Sequence, residues 1–336
     1  MDKSALTSPL RRSSAGHRGM LATMIQRLET VTLGGLEQWI YVSGDPDKPL
    51  LLFLHGGPGV AQIGFAERFQ GALKKHFLMV HWDQRGGGKS FRIRTPDMTL
   101  GRYVLDAEAL SRYLLKTFGR DKLYLFGHSW GGAFGAKVAQ RAPELFHAYV
   151  AQGMLVHGEE NERLSYQYVR EQLESGQHPT TAKRLERLGE PPYTNQLRGL
   201  LTERWSALRS GGLFHDPKGW RVYANAMFRS KTYTRKDVLS YPLGVLTSLS
   251  TLWDEVLAVD LFRDVPRLEV PFYLLMGRYD TVTPPEIAER FLEQLDAPHK
   301  EKVWFEHSAH CPHLEEPERL AQVLAEHVLG EAEPTP

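Results

Sequence analysis

The apolar pattern begins with two short β-rich runs, 30–33 and 38–42, split by Gly34 and Gly35, a spacing that predicts a hairpin. Beyond it the pattern changes to uninterrupted apolar runs at 49–54, 77–82, 123–126 and 148–151, as expected of strands covered on both faces. Helical spacing fills the gaps between them. Tyr103, Ala107, Leu110 and Leu114 fall on one helix face, and residues 130–141 read as a helix that ends near Pro143. This alternation predicts a parallel sheet. From about Met154 to Pro266 the strand signal disappears among Arg, Glu, Leu and aromatics including Trp205, Trp220 and Trp253, which predicts a helical insertion. Alternation resumes with a strand at 270–276, a helix bearing Ile287, Phe291, Leu292 and Leu295, a strand at 302–305, and a last helix with Leu320, Val323, Leu324 and Val328. The expected α/β organisation is a mobile tail over 1–26, a core over 27–154 and 266–331, and a helical cap over 155–265.

At 336 residues and 42% hydrophobic, the chain can bury a full core. Its 41 Lys and Arg nearly balance 40 Asp and Glu, so the electrostatic footprint of a nucleic-acid binder is missing. The N-terminal stretch carries Arg11, Arg12 and Arg18 but no apolar run of signal-peptide length. The aliphatic run Leu50 to Leu54 falls far short of the ~20 residues that span a bilayer. The single cysteine, Cys311, suits a reducing compartment. Together these features predict a soluble cytoplasmic protein without membrane or nucleic-acid partners, its oligomeric state open.

The chemistry starts at Gly127-His-Ser-Trp-Gly-Gly132, directly after an apolar strand and before a helix. A serine on so tight a turn needs small neighbours, which Gly127 and Gly131 supply, and the turn aims the Trp130 N–H of a helix N-terminus at a developing oxyanion. A hydroxyl needs a base, and the base an orienting carboxylate. In a strand-turn-helix setting these should follow in the order Ser, acid, His, each just past a strand end. Asp280 follows the strand ending near Met276, and His310 follows the one ending near Phe305. An N-cap or turn role is the alternative for Asp280, and Asp254, Asp260 and Asp264 are its rivals as the acid. The glycines of His55-Gly-Gly-Pro-Gly59 permit close backbone approach to a ligand, which makes Gly57 the expected second oxyanion donor; a plain loop is the alternative.

His307, His310 and His313 recur every three residues, but no HExxH or cysteine cluster accompanies them, so neither a metal nor an organic cofactor is expected. No strand-turn-helix presents Cys311 as a nucleophile. Asp83-Gln-Arg-Gly-Gly-Gly-Lys-Ser90 ends like a phosphate loop, yet Asp83 stands where such a loop requires its first glycine. A rigid structural loop with an Asp83 to Arg85 ion pair is expected instead.

HGGPG at 55–59, DQRGGGKS at 83–90 and GHSWGG at 127–132, extended by GRYD at 277–280 and SAHCPHLEEP at 308–317, resemble the α/β-hydrolase fold and, more narrowly, the proline iminopeptidase group of serine peptidases. The resemblance covers about 30–155 and 266–329. It implies Ser129, Asp280 and His310 as a triad, Gly57 and Trp130 as oxyanion donors, and a cap that sets substrate choice. An N-terminal proline brings a charged amine that needs paired carboxylates. Glu162, with Glu159 beside it, is the candidate at the cap entry; a solvated surface charge is the alternative. The chain departs from the group in having GHSWGG where the group has GGSWGS, and in lacking its Trp-rich acidic cap motifs.

The implied activity is an acyl-enzyme hydrolase of small peptides, an aminopeptidase of proline-iminopeptidase type. A carboxylesterase or other small-acyl hydrolase is the first rival. The second is a non-catalytic hydrolase-fold receptor or binding protein.

Overall fold

A computed structural model of the chain describes residues 24–175, 179–193 and 212–330. Most of the expected tail and Trp205 lie outside these residues, as does the last position of the expected core. An eight-stranded sheet runs in the order β1-β2-β4-β3-β5-β6-β7-β8. β1 (Ile25–Leu33) and β2 (Leu36–Gly44) form the predicted hairpin, longer than its apolar centre because strand pairing continues from Ile25 to Gly44. Pairing therefore begins two residues inside the expected tail. Gly34 and Gly35 both take positive φ, 53° and 76°, the conformation a two-residue turn between twisted antiparallel strands requires.

β2 also pairs antiparallel with β4 (Leu78–Asp83). From there outward the sheet is parallel: β4, β3 (Leu50–Leu54), β5 (Leu123–His128), β6 (Phe146–Gln152), β7 (Phe272–Gly277) and β8 (Lys300–Phe305). Alternation along each strand divides the core in two. Leu50, Leu52 and Leu54 pack on one face with Tyr103, Leu110 and Leu114 of α1 (Leu100–Phe118), Phe134 of α2 (Trp130–Arg141) and Phe291. Leu51 and Phe53 pack on the other with Phe305, Leu320 and Val323. Two covered faces explain why these strands read as continuous apolar runs. Thr99 caps α1 by accepting from the Arg102 N–H, and Gly119 ends it in the left-handed conformation.

Between β6 and β7 the described chain contains helices: Gly158–Ser175, Pro179–Leu188, Gly219–Phe228 and Arg235–Leu257. The two ends of this segment meet at a bridge between His157 and Asp260, where the Gly158 N–H donates to the Val259 carbonyl and the Leu261 N–H to that of Val156. Entry and exit are thus pinned at one place. Thr234 and Asp237 form a capping box at the start of the 235–257 helix. No helix among the described residues is long and apolar enough to cross a membrane.

The loop after β4 corrects one expectation. Arg85 does not pair with Asp83; its Nη2 and Nε lie 2.8 and 3.1 Å from Asp106 Oδ2 on α1. Gln38 also donates to that oxygen, and its own carbonyl accepts from the Trp82 indole. Asp83 ends β4 with its carboxyl turned the other way, accepting from the N–H groups of Ile63 and Lys89 and from the Tyr233 hydroxyl. Residues two apart in sequence but aimed to opposite sides cannot pair. Both partners of the Arg85–Asp106 pair are 1% exposed. Asp106→Ala is therefore expected to cost about 3–5 kcal/mol in urea unfolding, because it strands a buried guanidinium. The double change Arg85→Met, Asp106→Leu should recover much of that loss, and equal losses in the single and double variants would count against this account.

Candidate functional site

Ser129, Asp280 and His310 each follow the C-terminal end of a parallel strand, β5, β7 and β8, and residues 55–59 follow β3. The sheet thereby gathers them along one edge. Ser129 holds φ 57° and ψ −117°, a conformation that L side chains rarely adopt, between the last residue of β5 and the first of α2. Small neighbours make this turn possible. A Cβ on Gly131 would lie 2.2 Å from the Leu54 carbonyl oxygen, and one on Gly127 would lie 2.4 Å from that of Gly131. The Ser129 N–H donates to the Gln152 carbonyl at the end of β6, and the Ser129 carbonyl accepts from Gly132, so backbone on both sides fixes the elbow. Trp130 begins α2, where an N–H has no carbonyl one turn behind it.

His310 Nδ1 lies 2.9 Å from Asp280 Oδ2, with both side chains buried. The carboxylate accepts there, so Nδ1 carries the hydrogen and Nε2 keeps a lone pair. Asp280 Oδ1 accepts from the backbone N–H groups of Val282 and Thr283, and Oδ2 accepts from the Thr283 hydroxyl. That hydroxyl is also 3.1 Å from His310 Nδ1, so Thr283 touches both members of the pair. Gly153, just beyond β6 at φ 50°, gives the pair room: a Cβ there would lie 3.0 Å from His310 Nδ1 and 3.2 Å from Asp280 Oδ2. Thr283 and Gly153 went unread in the sequence. The Gln-Gly step after the fourth apolar run was the available signal for the latter.

The three rival acids are placed elsewhere. Asp254 is exposed, Asp260 caps the turn at 261–264, and Asp264 pairs with Lys137 at 2.6 Å. Among the described residues no group of three His, Cys, Asp or Glu is arranged to hold a metal. His307 faces solvent, and His313 is buried with Gln62 Nε2 3.1 Å from its Nε2 and Gln152 Nε2 2.7 Å from its Nδ1. Burial pushes the His313 imidazole down to about 3 and raises the Cys311 thiol well above its ordinary range. His128 also stays neutral. It is sandwiched against His310 and His313 at ring distances of 4.7 and 4.5 Å, and its Nε2–H donates to the His310 carbonyl.

Ser129 and His310 open onto one cavity of about 500 Å³, whose wall also includes Gly57 and Trp130. The helices between β6 and β7 supply much of the rest, including Trp220, Tyr223, Leu249 and Trp253. The two glutamates expected at the cap entry do not reach this wall. Glu159 is exposed and Glu162 is buried, while Asn161 is the residue of that helix turn lining the cavity. Successive helical residues point about 100° apart, so one position decides which side chain faces inward.

The family described as alpha/beta hydrolase fold matches residues 49–317. A probable aminopeptidase, YbaC, of Bacillus subtilis (strain 168) is 34% identical over 303 residues, covering 89% of this chain and 95% of that protein. A proline iminopeptidase of Saccharolobus solfataricus is 24% identical, covering 83% and 84%. Among solved structures, a proline iminopeptidase-related protein from Thermus thermophilus aligns with a TM-score of 0.64 at 22% identity, over 91% of this chain and 98% of that one, a likeness of fold. A strand-edge serine elbow, the order of the elements and these matches lead to one conclusion: the chain belongs to the α/β-hydrolase fold family, as a hydrolase whose relatives include proteins named as aminopeptidases and proline iminopeptidases.

Proposed function

We propose that this chain is a serine hydrolase working through an acyl-enzyme, an aminopeptidase of proline-iminopeptidase type that releases N-terminal residues from small peptides. The observation carrying the reading is the Asp280–His310 hydrogen bond beside a cavity that Ser129 shares with His310. His310 Nε2 takes the hydroxyl proton as Ser129 Oγ bonds to the scissile carbonyl carbon, and Asp280 holds the imidazole and stabilises its charged form. The N–H groups of Gly57 and Trp130 receive the oxyanion. Collapse breaks the carbonyl–nitrogen bond, the leaving amine takes the proton from His310, and a water deprotonated by His310 then frees the acid and restores Ser129. No cofactor enters. Residues 155–265 act as the cap, and the single buried thiol fits work in a reducing cytoplasm.

A second reading, a carboxylesterase with the same triad, is favoured by one observation: no Asp or Glu lines the cavity among the described residues to receive an ammonium group. Turnover of prolyl and alanyl arylamides against p-nitrophenyl butyrate separates the two. Arylamide turnover is expected; turnover of the ester alone retires the peptidase. A serine-reactive phosphonate should label Ser129, and no labelling together with no turnover would leave a binding protein.

Gly153→Ala tests the pair's geometry. Its Cβ would press on His310 at a backbone angle that favours glycine. Because a misplacement of about 1 Å can cost 10²-fold, kcat should fall about 10- to 100-fold while the melting temperature moves by only a few degrees. An unchanged kcat would mean the pair does not act.

A further inference from the structure

The cavity beside Ser129 has a definite chemical character. Val245, Leu249, Trp253 and Val256 of the 235–257 helix recur at a spacing that puts them on one face, and that face lines it. Phe65 and Trp220 contribute further apolar surface. Four polar wall residues have atoms committed to the protein. Asn161 donates to the Val282 carbonyl, Thr283 to Asp280, Tyr241 to the Ala61 carbonyl, and the Tyr223 and Tyr241 hydroxyls bond each other. No Asp, Glu, Lys or Arg stands among the described wall residues. Burial keeps His128 and His313 unprotonated and keeps Cys311, Tyr223 and Tyr241 protonated, so these groups bring no charge to the wall. A charged side group entering here would lose its water without gaining a counter-ion. About 500 Å³ is the size of site that buries a drug-sized ligand, and the three ring methylenes of a prolyl group would fill little of it.

We infer that this cavity selects substrates carrying a bulky, apolar, uncharged side group on the acyl side of the scissile bond, aryl or branched alkyl rather than the small ring of proline. The inference rests on the serine-hydrolase reading and deepens it by naming the substrate class.

Two ladders test it: alanyl, prolyl, leucyl, phenylalanyl, lysyl and aspartyl arylamides, and p-nitrophenyl acetate, butyrate and 3-phenylpropionate. Within whichever ladder turns over, kcat/KM should rise with apolar size, the phenylalanyl or phenylpropionyl member exceeding the prolyl or acetyl member at least about tenfold. Lysyl and aspartyl members should trail phenylalanyl by at least about 100-fold. A rising ester ladder with inert arylamides upholds the inference and retires the peptidase reading. A flat ladder, or one led by the prolyl or acetyl member, overturns the inference and leaves the hydrolase standing. No turnover and no phosphonate label on Ser129 overturns both. Val245→Asp should lower the largest member's kcat/KM at least about tenfold and the smallest member's far less, with Val245→Leu, folded to the same melting temperature, retaining the ladder. Equal losses across the ladder in the Asp variant would count against the wall's role.

Discussion

Ser129→Ala is expected to lower kcat by on the order of 10⁶ on any acyl substrate the protein turns over, and Asp280→Asn by about 10⁴, with little change in KM for either. The two losses have different origins. Removing the hydroxyl leaves no atom to form the acyl-enzyme, so only the oxyanion donors and substrate binding remain, and phosphonate labelling should vanish with turnover. Replacing the carboxylate by an amide keeps the shape but offers His310 Nδ1 an N–H in place of an acceptor unless the amide turns. Turning is opposed, because the Val282 and Thr283 N–H groups already need an acceptor at Oδ1. The imidazole is then driven toward the tautomer with its hydrogen on Nε2, the nitrogen that must accept the serine proton. Circular dichroism and melting temperature, unchanged in Ser129→Ala, separate chemistry from folding. A Ser129→Ala protein that retained a tenth of the activity would remove the serine from the reaction.

The triad candidates were legible because each closes an apolar run long enough to be a strand, and a parallel sheet brings its strand ends to one edge whatever the distance in sequence. The central strands of the sheet were legible for the same reason: covered on both faces, they leave no alternation to misread. Features set by direction rather than position were not. Arg85 could be seen to need an anion, but its partner Asp106 lies on α1, and only the turn after β4 decides which way a side chain leaves it. Asn161 rather than Glu162 lines the cavity for a comparable reason, since a residue's facing depends on how the whole helix is rotated about its axis. Within the insertion, the loss of strand signal marked helices, but the 245, 249, 253, 256 stripe looks the same whether it packs on a core or walls a cavity. Thr283 is a third case. Its hydroxyl bonds Asp280 and lies beside His310, yet a threonine three residues past an aspartate carries no distinctive pattern.

Acid should weaken this protein steeply between about pH 6.5 and 5. Four buried histidines are the cause. Burial pushes His55 down to about 4, His81 to about 3 and His313 to about 3, and holds His128 well below 6.5. In the unfolded chain each titrates near 6.5, so below that pH the unfolded state takes up protons that the folded state refuses. Stability contributed by these neutral rings is fully present above pH 6.5 and is lost as pH falls toward 4 and 3. Each imidazole costs up to about 1.4 kcal/mol per pH unit, so His55, His81 and His313 together remove about 6 kcal/mol by pH 5, a large part of the stability of an ordinary domain, and His128 acts in the same direction. Asp83 works in the opposite direction. Desolvation, only partly offset by its three hydrogen-bond donors, raises its carboxyl to about 7, so the folded state gains stability as pH falls from about 7 to 4. That gain is about 3 kcal/mol by pH 5 and leaves the balance unfavourable. Urea unfolding at pH 7.5, 6 and 5 should show the free energy collapsing across this window. His81→Leu removes one buried base whose Nδ1 has no hydrogen-bond partner among the described residues, and should reduce the loss between pH 7.5 and 5 by about 2 kcal/mol. Asp83→Asn should steepen it. A free energy that stayed level from pH 7.5 to 5 would mean that the four rings are not held neutral by burial.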